Sequence, residues 1–598
     1  MTSRVLISML ALAVHLHCGF ATADTRVPAM EKKLIEYGWD VPFPDFIAGH
    51  IREMEQRPFD GLIFQLKGGG KVLETAPMDE AKFADDFKIL PTIQWQKFTD
   101  NFVIMWAASD QDWFNDAQWD VIQSNVKLVS KCARLAKCVG VCFDAEPYGT
   151  NPWSYREAAH HDTKSFAEYE VIAKKRGEQF IKAVEAELPN PKILTFYLLG
   201  LFNQYCKPMP AAERDAKLST HSYALAPAFI AGMLSGAGPE TRITDGNENA
   251  YYYQDSLSYF DAYQLMTQRA LYMLDPALWP VYRTHARAGQ ALYVDQYYAL
   301  RAQKTLGNYM TPEQQKQWFE HNVYWALYTS DEYVWCYSER MNWWLNATVP
   351  ATSEEAIRSA RKKIAEGASL GFDLAPIIAA AKAREKSESA GRIQPKRLGI
   401  NLLTPGIPRP AIDGVLDEAA WKDVTPTDAF VAPAAYPAEL KAESRAKLLY
   451  DSQALYIAFE CKEPNAAQIK AAGEKPDDES IYSGDVVEVF VSAPDNEKIQ
   501  YHFTVNPKGV AWEATHQGED TDMKYNPTWE KAARIGDGVW TAEMAIPWAA
   551  LKIDAPKQGT TLRANLTRER AQGPELSVWS GVNLLFLEPE NFGTWKLR

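Results

Sequence analysis

The stretch VGVCFDAEPY (Val139–Tyr148) indicates the fold of the first half of the chain. Side chains of a β-strand point alternately to its two faces. One face of this stretch would carry Gly140, Cys142, Asp144 and Glu146, and the other face is apolar throughout. Small residues followed by two carboxylates fit the crowded inside of a parallel barrel that opens at the carboxyl ends of its strands.

Seven further apolar runs resemble this one and alternate with amphipathic segments. The runs are Leu34–Asp40, Gly61–Leu66, Asn101–Ser109, Ile193–Gly200, Thr241–Tyr251, Ala291–Tyr298 and Glu332–Glu339. The segments with helical periodicity include Trp119–Ala136, Ser165–Leu188, Ser256–Leu274 and Pro312–Tyr328. Eight strands alternating with helices predict a (β/α)8 TIM barrel, with a doubly wound open sheet as the alternative.

The pattern changes after residue 383. The segment Ser353–Ala383 is typical of a closing helix, and 384–400 is polar enough for a linker. Beyond it, short runs alternate with a period of two residues, namely Lys447–Tyr450, Leu455–Phe459, Val486–Phe490, Tyr501–Val505 and Trp540–Ile546. We therefore predict a barrel over 24–383, a linker over 384–400 and an antiparallel β-sandwich over 401–598.

The N-terminus is typical of a secretory signal. Arg4 precedes the apolar run Val5–Val14, and Ala21-Thr22-Ala23 is a small-residue cleavage site. We predict a signal peptide over 1–23, cleavage after Ala23, and a secreted or periplasmic protein.

Composition excludes some partners. The chain of 598 residues has 63 Lys+Arg against 77 Asp+Glu, a net charge of -14, which disfavours nucleic acid and anionic membranes as partners. No apolar stretch reaches the ~20 residues of a membrane span. The 19 Trp and 28 Tyr favour ligands with apolar faces, such as sugars. Oligomeric state stays open.

Asp144 and Glu146 are the first candidate catalytic residues. Two residues apart on one strand face, their carboxylates would lie about 7 Å apart and repel when both ionise. One carboxyl pKa should then be raised, as a general acid near neutral pH requires.

Glycoside cleavage needs a second carboxylate across the scissile bond, either Asp144 itself or an acid from another strand end. The sixth run offers Asp245 and Glu248, the seventh Asp295 and the eighth Glu339. Aromatic and amide side chains near the strand ends are candidate sugar-binding residues: Trp39, Gln65, Trp106, Tyr148, Tyr197, Tyr293, Gln296, Trp335 and Tyr337.

The second region resembles a family 9 carbohydrate-binding module. The ordered pieces that carry the resemblance are Ile412–Trp421, Gly484–Phe490, Tyr501–Gly509, Trp540–Trp548 and Phe592–Trp595. The resemblance implies a β-sandwich that binds carbohydrate, and some members also bind calcium. Tyr482, Trp512, Trp529 and Trp579 are candidate sugar-binding aromatics of this domain.

The first region resembles barrel glycoside hydrolases at a general level. Glu146-Pro147 is similar to the end of the fourth strand in the large retaining clan, whereas Asp144-Ala145-Glu146 is similar to part of a chitinase pattern. Asp144 with Asp245 would match the acid pair of α-galactosidase-like barrels. The resemblance implies Glu146 as proton donor and Asp144 as nucleophile or stabilising group, without a required cofactor or catalytic metal.

The sequence thus predicts a secreted glycoside hydrolase that acts on a poly- or oligosaccharide. Glu339, Asp295 or Asp245 would supply the second carboxylate if Asp144 does not. A non-catalytic glycan-binding protein and a polysaccharide lyase on the same fold are the alternatives.

Overall fold

A computed structural model describes residues 32–598 except 392, 437–438, 494–495, 519, 555 and 574. The predicted signal peptide, 1–23, lies outside the described residues. Among the described residues, no helix has the length and apolar character that a bilayer-spanning segment needs.

The first region is a parallel barrel. Its strands are β1 (Lys33–Gly38), β2 (Gly61–Phe64), β3 (Phe102–Trp106), β4 (Gly140–Asp144), β5 (Lys192–Thr195), β6 (Arg242–Asp245), β7 (Ala286–Ala288), β8 (Gln290–Tyr293) and β9 (Tyr333–Ser338). Each of β1 to β6 pairs in parallel with its neighbours along the chain, and β1 also pairs with β9. The predicted TIM barrel is therefore confirmed.

The barrel closes through its seventh strand, which is interrupted at Gly289. The first part, β7, pairs with β6, and the second part, β8, pairs with β9. The Gly289 N–H donates to Asp245 O at 2.7 Å. A Cβ at Gly289 would lie 2.7 Å from Thr244 Cγ2, so the strand can change partners here only because this residue has no side chain.

Helices cover the outside of the barrel. They are α1 (Pro44–Met54), α2 (Ala84–Ile89), α3 (Asp116–Leu135), α4 (Phe166–Glu187), α5 (Ala211–Leu218), α6 (Ala226–Gly236), α7 (Ser256–Thr267), α8 (Trp279–His285), α9 (Val294–Tyr297), α10 (Pro312–Thr329), α11 (Ser353–Ala365) and α12 (Ala375–Ser389). Asn115, Ser165 and Thr311 cap the N-termini of α3, α4 and α10 by accepting backbone N–H bonds.

Several predicted strands extend too far at their C-terminal ends. After β5 and β6 the chain forms the 3-10 helices Leu199–Tyr205 and Glu248–Tyr252, and after β8 it forms α9. No neighbouring strand continues beyond the rim, so the backbone satisfies its hydrogen bonds locally and turns across the barrel mouth.

The segment between the two regions is shorter than the predicted linker. The single closing helix expected over Ser353–Ala383 is two helices, and the second reaches Ser389. Strand β10 (Arg397–Leu402) already begins at Arg397. Only 390–396 lies between these elements.

The second region is a β-sandwich, as predicted. After the short helix α13 (Ala419–Lys422), its strands are β11 (Ser444–Tyr450), β12 (Ala454–Lys462), β13 (Val486–Ala493), β14 (Asn496–Val505), β15 (Ala511–Gln517), β16 (Asp520–Asp522), β17 (Glu530–Ile535), β18 (Val539–Pro547), β19 (Thr561–Arg570), β20 (Glu575–Val578) and β21 (Gly593–Leu597). The pairings are antiparallel except those of β10, which lies parallel to β21 and to β11 and so joins the two sheets. Side chains of both sheets, such as Phe459 and Phe503, share one core.

Helices α4 and α6 cross in very close contact. A Cβ at Gly177 of α4 would lie 1.9 Å from Phe229 O, and one at Gly232 of α6 would lie 1.9 Å from Lys174 O. Glycine at both positions lets the two backbones touch, and this contact holds the β4-to-β6 side of the barrel.

We expect Gly177→Ala to lower the free energy of unfolding by at least about 2 kcal/mol, because the new methyl group meets backbone atoms that no side-chain rotation can move. Gly49→Ala in α1 is the matched control. Nothing lies within 4 Å of a Cβ there, so that change should stabilise the helix by about 0.5–1 kcal/mol. Urea unfolding followed by circular dichroism measures both, and equal effects of the two substitutions would contradict the close contact.

Candidate active site

A cavity of about 410 Å³ opens at the C-terminal mouth of the barrel. Its walls carry four acids, seven tyrosines, one tryptophan and several small or polar residues: Glu146, Asp245, Glu248, Glu339, Tyr148, Tyr197, Tyr223, Tyr251, Tyr252, Tyr293, Tyr337, Trp39, Gly200, Leu201, Asn247, Asn249 and Arg301. Residues from the ends of the fourth to eighth strands therefore meet in one cavity, where a TIM barrel presents its reactive groups.

Glu146 lies two residues beyond the end of β4 and faces the cavity. The Tyr148 hydroxyl donates a hydrogen bond to Glu146 Oε2. Pro147, which lies between these two residues, restricts the backbone of the loop because its ring fixes φ. Glu146 is thus a half-buried carboxylate held in place by its own loop.

Asp144 does not line the cavity. Its side chain is fully buried at the end of β4, and Oδ1 accepts the Glu146 N–H at 2.9 Å. Oδ2 is buried without a hydrogen-bond partner among the described residues. Burial raises the pKa of Asp144 well above its usual range, and the nearby charges of Glu146 and Glu248 raise it further. Asp144 therefore supports the loop that carries Glu146.

Glu248 is the acid that faces the cavity beside Glu146. It follows Asn247, whose left-handed backbone (φ 46°) turns the chain after β6. The Glu248 N–H then donates to Phe196 O at 3.1 Å, which fixes the start of the 3-10 helix. Burial raises the pKa of Glu248 to about 8, and the charge of Glu146 contributes to this shift. Glu248 is consequently protonated at neutral pH.

Asp245 and Asp295 hold the loops of the rim. Asp245 accepts the N–H groups of Gly200 (2.8 Å) and Asn247 (3.2 Å). Asp295 accepts the N–H groups of Glu339 (2.6 Å) and Arg340 (3.1 Å). Both carboxylates are buried, and their oxygen atoms are occupied by these backbone donors.

Glu339 lines the cavity at the end of β9. Its Oε2 lies 3.9 Å from Arg340 Nε, so the carboxylate has a cation beside it.

Five of the nine predicted sugar-binding residues line the cavity, namely Trp39, Tyr148, Tyr197, Tyr293 and Tyr337. Gln65, Trp106, Gln296 and Trp335 lie outside its walls. Trp335 stacks on Phe196 with ring centroids 4.2 Å apart and donates to Gly246 O, and Gln65 donates to Val41 O. The Trp106 ring packs over Gly70, and the backbone O of Gln296 accepts from the Thr305 hydroxyl. These four residues stabilise the rim.

Sequence reasoning missed Tyr223, Tyr251, Tyr252 and Arg301 as cavity residues. Tyr251 stacks on Tyr337 with centroids 5.5 Å apart, and Arg301 lies over the Tyr293 ring at 5.2 Å. Three successive tyrosines after β6 were a usable signal for Tyr251 and Tyr252. Tyr223 precedes α6, far from any strand end, and no local pattern marks it.

The four aromatic candidates of the second domain lie in two environments. Trp529 and Trp579 belong to the sandwich core, where Trp529 donates to Glu513 Oε2 at 3.1 Å. Tyr482 and Trp512 instead line a cavity that the second domain shares with the barrel.

One acidic cluster of the second domain has the donor chemistry of a calcium site. Carboxylate oxygens of Asp413, Glu418 and Glu543 lie within 4.8 Å of one another, and calcium prefers oxygen ligands. Glu543 also accepts the N–H of Gly414 at 2.9 Å and the indole N–H of Trp421 at 2.8 Å. These three acids would hold a calcium ion if the domain binds one.

The raised pKa of Glu248 predicts a pH dependence of stability. Between about pH 5 and about pH 8 the folded protein keeps a proton that the unfolded chain loses, so the free energy of unfolding falls as pH rises. Glu248→Gln should abolish this decrease in the free energy of unfolding, which is at most about 1.4 kcal/mol per pH unit. Urea unfolding at about pH 5 and at about pH 8 measures this change in the free energy of unfolding. The control is Glu213→Gln, which replaces an exposed acid on α5. Parallel pH profiles of Glu248→Gln and wild type would contradict the shifted pKa.

Comparisons with known proteins support the predicted similarity of the second domain to a carbohydrate-binding module. Residues 412–598 match the family model described as carbohydrate family 9 binding domain-like. A family 9 carbohydrate-binding module from Caldicellulosiruptor kristjanssonii, solved with glucose, is 20% identical and covers 34% of this chain and 96% of its own, with a TM-score of 0.25. An Anoxybacillus α-amylase is 9% identical and covers 89% of this chain and 100% of its own, with a TM-score of 0.26. TM-scores of this size do not establish a common fold, and the search of curated proteins finds no match. The C-terminal domain is thus similar to family 9 carbohydrate-binding modules, as the sequence predicted.

Proposed function

We propose that this protein is a glycoside hydrolase that cleaves a poly- or oligosaccharide. The observation that carries the proposal is that Glu146 and Glu248 line one cavity, close enough for the charge of Glu146 to contribute to raising the Glu248 pKa to about 8. Glycosidic hydrolysis needs one carboxyl group that is protonated and one that is ionised, both beside the same bond.

The two acids take different roles because their surroundings differ. Glu248, protonated at neutral pH, donates a proton to the leaving oxygen. Glu146 accepts a hydrogen bond from Tyr148 and serves as the carboxylate that attacks the sugar or activates water. This assignment differs from the sequence-based one, in which Glu146 was the proton donor and Asp144 the nucleophile, because Asp144 lies beneath the cavity and Glu248 faces it.

The other walls suit a saccharide. Trp39 is exposed over 68% of its surface and Tyr148 over 57%, so both residues offer aromatic surface to a sugar at the cavity mouth. The Arg340 guanidinium lies 5.9 Å from the centre of the Trp39 ring and covers part of it. Asn247 and Asn249 add amide groups that can bond to hydroxyls.

The second domain fits the same function. A carbohydrate-binding module raises the concentration of the enzyme on a long or insoluble substrate, since the second binding event is then intramolecular. Together with the N-terminal pattern at 1–23, this favours a protein that acts outside the cytoplasm.

We expect Glu146→Gln and Glu248→Gln each to lower turnover about 10²–10⁴-fold while saccharide binding survives, because each removes a proton-transfer or charge-stabilising group and keeps its shape. Product release from a panel of polysaccharides, analysed by mass spectrometry, measures turnover, with Glu213→Gln as control. Unchanged turnover in Glu146→Gln would remove Glu146 from the mechanism. Glycan binding by the wild type without release of any product would favour a non-catalytic glycan-binding protein, and unsaturated products would indicate a lyase.

The pH profile tests the role of Glu248. Activity should fall as pH rises through about 8, where the proposed donor loses its proton. In Glu146→Gln the residual activity should fall at a lower pH, because removing the neighbouring negative charge lowers the Glu248 pKa. If activity falls at the same pH in Glu146→Gln as in the wild type, the group that loses its proton is not Glu248.

A further inference from the structure

Several buried oxygen atoms lack partners where β1 and β9 end side by side. Glu36 belongs to β1, Asp40 lies in the turn directly after it, and Ser338 ends β9. Glu36 and Ser338 have no exposed surface. Glu36 Oε1 and Oε2, Asp40 Oδ1 and Ser338 Oγ are buried without a hydrogen-bond partner among the described residues. Buried polar atoms normally have partners, so these four atoms need one.

These oxygen atoms converge on Gly38, which lies opposite Ser338 in the register of the two strands. A Cβ at Gly38 would lie 2.7 Å from Asp40 Oδ1 and 3.0 Å from Ser338 Oγ. Only glycine therefore lets both atoms approach the strand here. The carboxyl groups of Glu36 and Asp40 lie within hydrogen-bonding reach of each other. Because two carboxylates only accept hydrogen bonds, their contact is favourable only with a proton or a cation between them.

The surroundings add no positive charge to this pair. Asp40 Oδ2 accepts the backbone N–H of Trp343 at 2.8 Å, and no described Lys, Arg or His donates to the other carboxyl oxygens. Burial raises the pKa of Glu36 well above its usual range, and the charge of Asp40 raises it further. Burial also raises the pKa of Asp40, to which the charge of Asp295 contributes. The pair thus carries uncompensated negative charge in a buried place.

A shared proton would satisfy only part of the cluster. It would join one oxygen of Glu36 to Asp40 Oδ1 and leave the other Glu36 oxygen and Ser338 Oγ without a partner. A cation can contact all four oxygen atoms, and a divalent one balances both carboxylates. Calcium binds about six to eight oxygen atoms in flexible geometry and accepts bidentate carboxylates and water, whereas magnesium demands a near-ideal octahedron and zinc favours nitrogen and sulfur.

We propose that Glu36, Asp40 and Ser338 bind a structural calcium ion behind the wall of the active-site cavity. The site lies in the barrel, apart from the acidic cluster of the second domain, and it does not depend on the proposed reaction.

The ion would fix the wall of the active-site cavity through its ligands. Trp39 precedes Asp40 in the chain, Glu339 follows Ser338, and both Trp39 and Glu339 line the cavity. The bond from the Trp343 N–H to Asp40 also ties the loop after β9 to the turn after β1.

The test is calorimetric titration of calcium chloride into EDTA-treated full-length protein. Every protein carries Asp413→Asn and Glu418→Gln, so that the acidic cluster of the second domain does not contribute. We expect one calcium ion per chain. Glu36→Gln should weaken its binding at least about tenfold, because it removes one of the two negative charges. Glu53→Gln, which replaces an exposed acid on α1, is the matched control and should leave the affinity unchanged.

Thermal unfolding is the independent readout. Calcium should raise the unfolding temperature of the control but not that of Glu36→Gln, since an ion that binds only the folded state stabilises it. Circular dichroism verifies folding of each variant. Ser338→Ala removes a neutral ligand and should weaken binding less than Glu36→Gln does, and it carries the test if Glu36→Gln does not fold.

Three results would overturn the site. The absence of calcium binding would assign the raised pKa of Glu36 to a shared proton. Equal calcium affinity in Glu36→Gln and Glu53→Gln would place the ion elsewhere. Zinc that binds more tightly than calcium, and is lost in Cys336→Ser, would assign the metal to the thiol that lies opposite Glu36 in the strand register.

Discussion

Burial of carboxyl groups that line one cavity, together with the repulsion between them, is the constraint on which the candidate active site depends. Glu146 and Glu248 come from different strand ends, and burial makes it costly for both to ionise. The protein satisfies this constraint by keeping a proton on Glu248. Burial also raises the pKa of Asp144, and the charges of Glu146 and Glu248 raise it further.

Closure of the barrel brings these groups together. Since β7 pairs with β6 and β8 pairs with β9, the interruption at Gly289 lets one strand complete the circle. Buried acids then anchor the rim: Asp245 binds the loop after β5, and Asp295 binds the loop after β9. The rim acids differ in their contacts: Asp245 and Asp295 each accept two backbone N–H groups and hold loops, whereas Glu146, Glu248 and Glu339 line the cavity.

The position of the second domain extends the cavity system. Its contact with the barrel includes the Lys304 N–H, which donates to Ala435 O at 2.9 Å beside the loop that carries Arg301. It also encloses a second cavity together with Gln204, Tyr205 and residues 220–222 of the barrel. The barrel loops that shape the active-site cavity are thus supported from outside by the sandwich.

Local sequence determined much of this. Periodicity alone predicted eight barrel strands and the sandwich, because burial of one or both strand faces leaves a pattern in residue order. It also placed Glu146 at the end of β4 and five of the aromatic cavity residues, because in parallel barrels reactive groups follow strand ends. Only the tertiary structure decided which acid lines the cavity and which is buried outside it. Asp144 and Glu248 are both acids near strand ends, but the depth of one and the turn at Asn247 before the other depend on contacts between segments distant in the sequence. The raised pKa of each of these two acids follows from those contacts, since desolvation and charge proximity are properties of the folded chain.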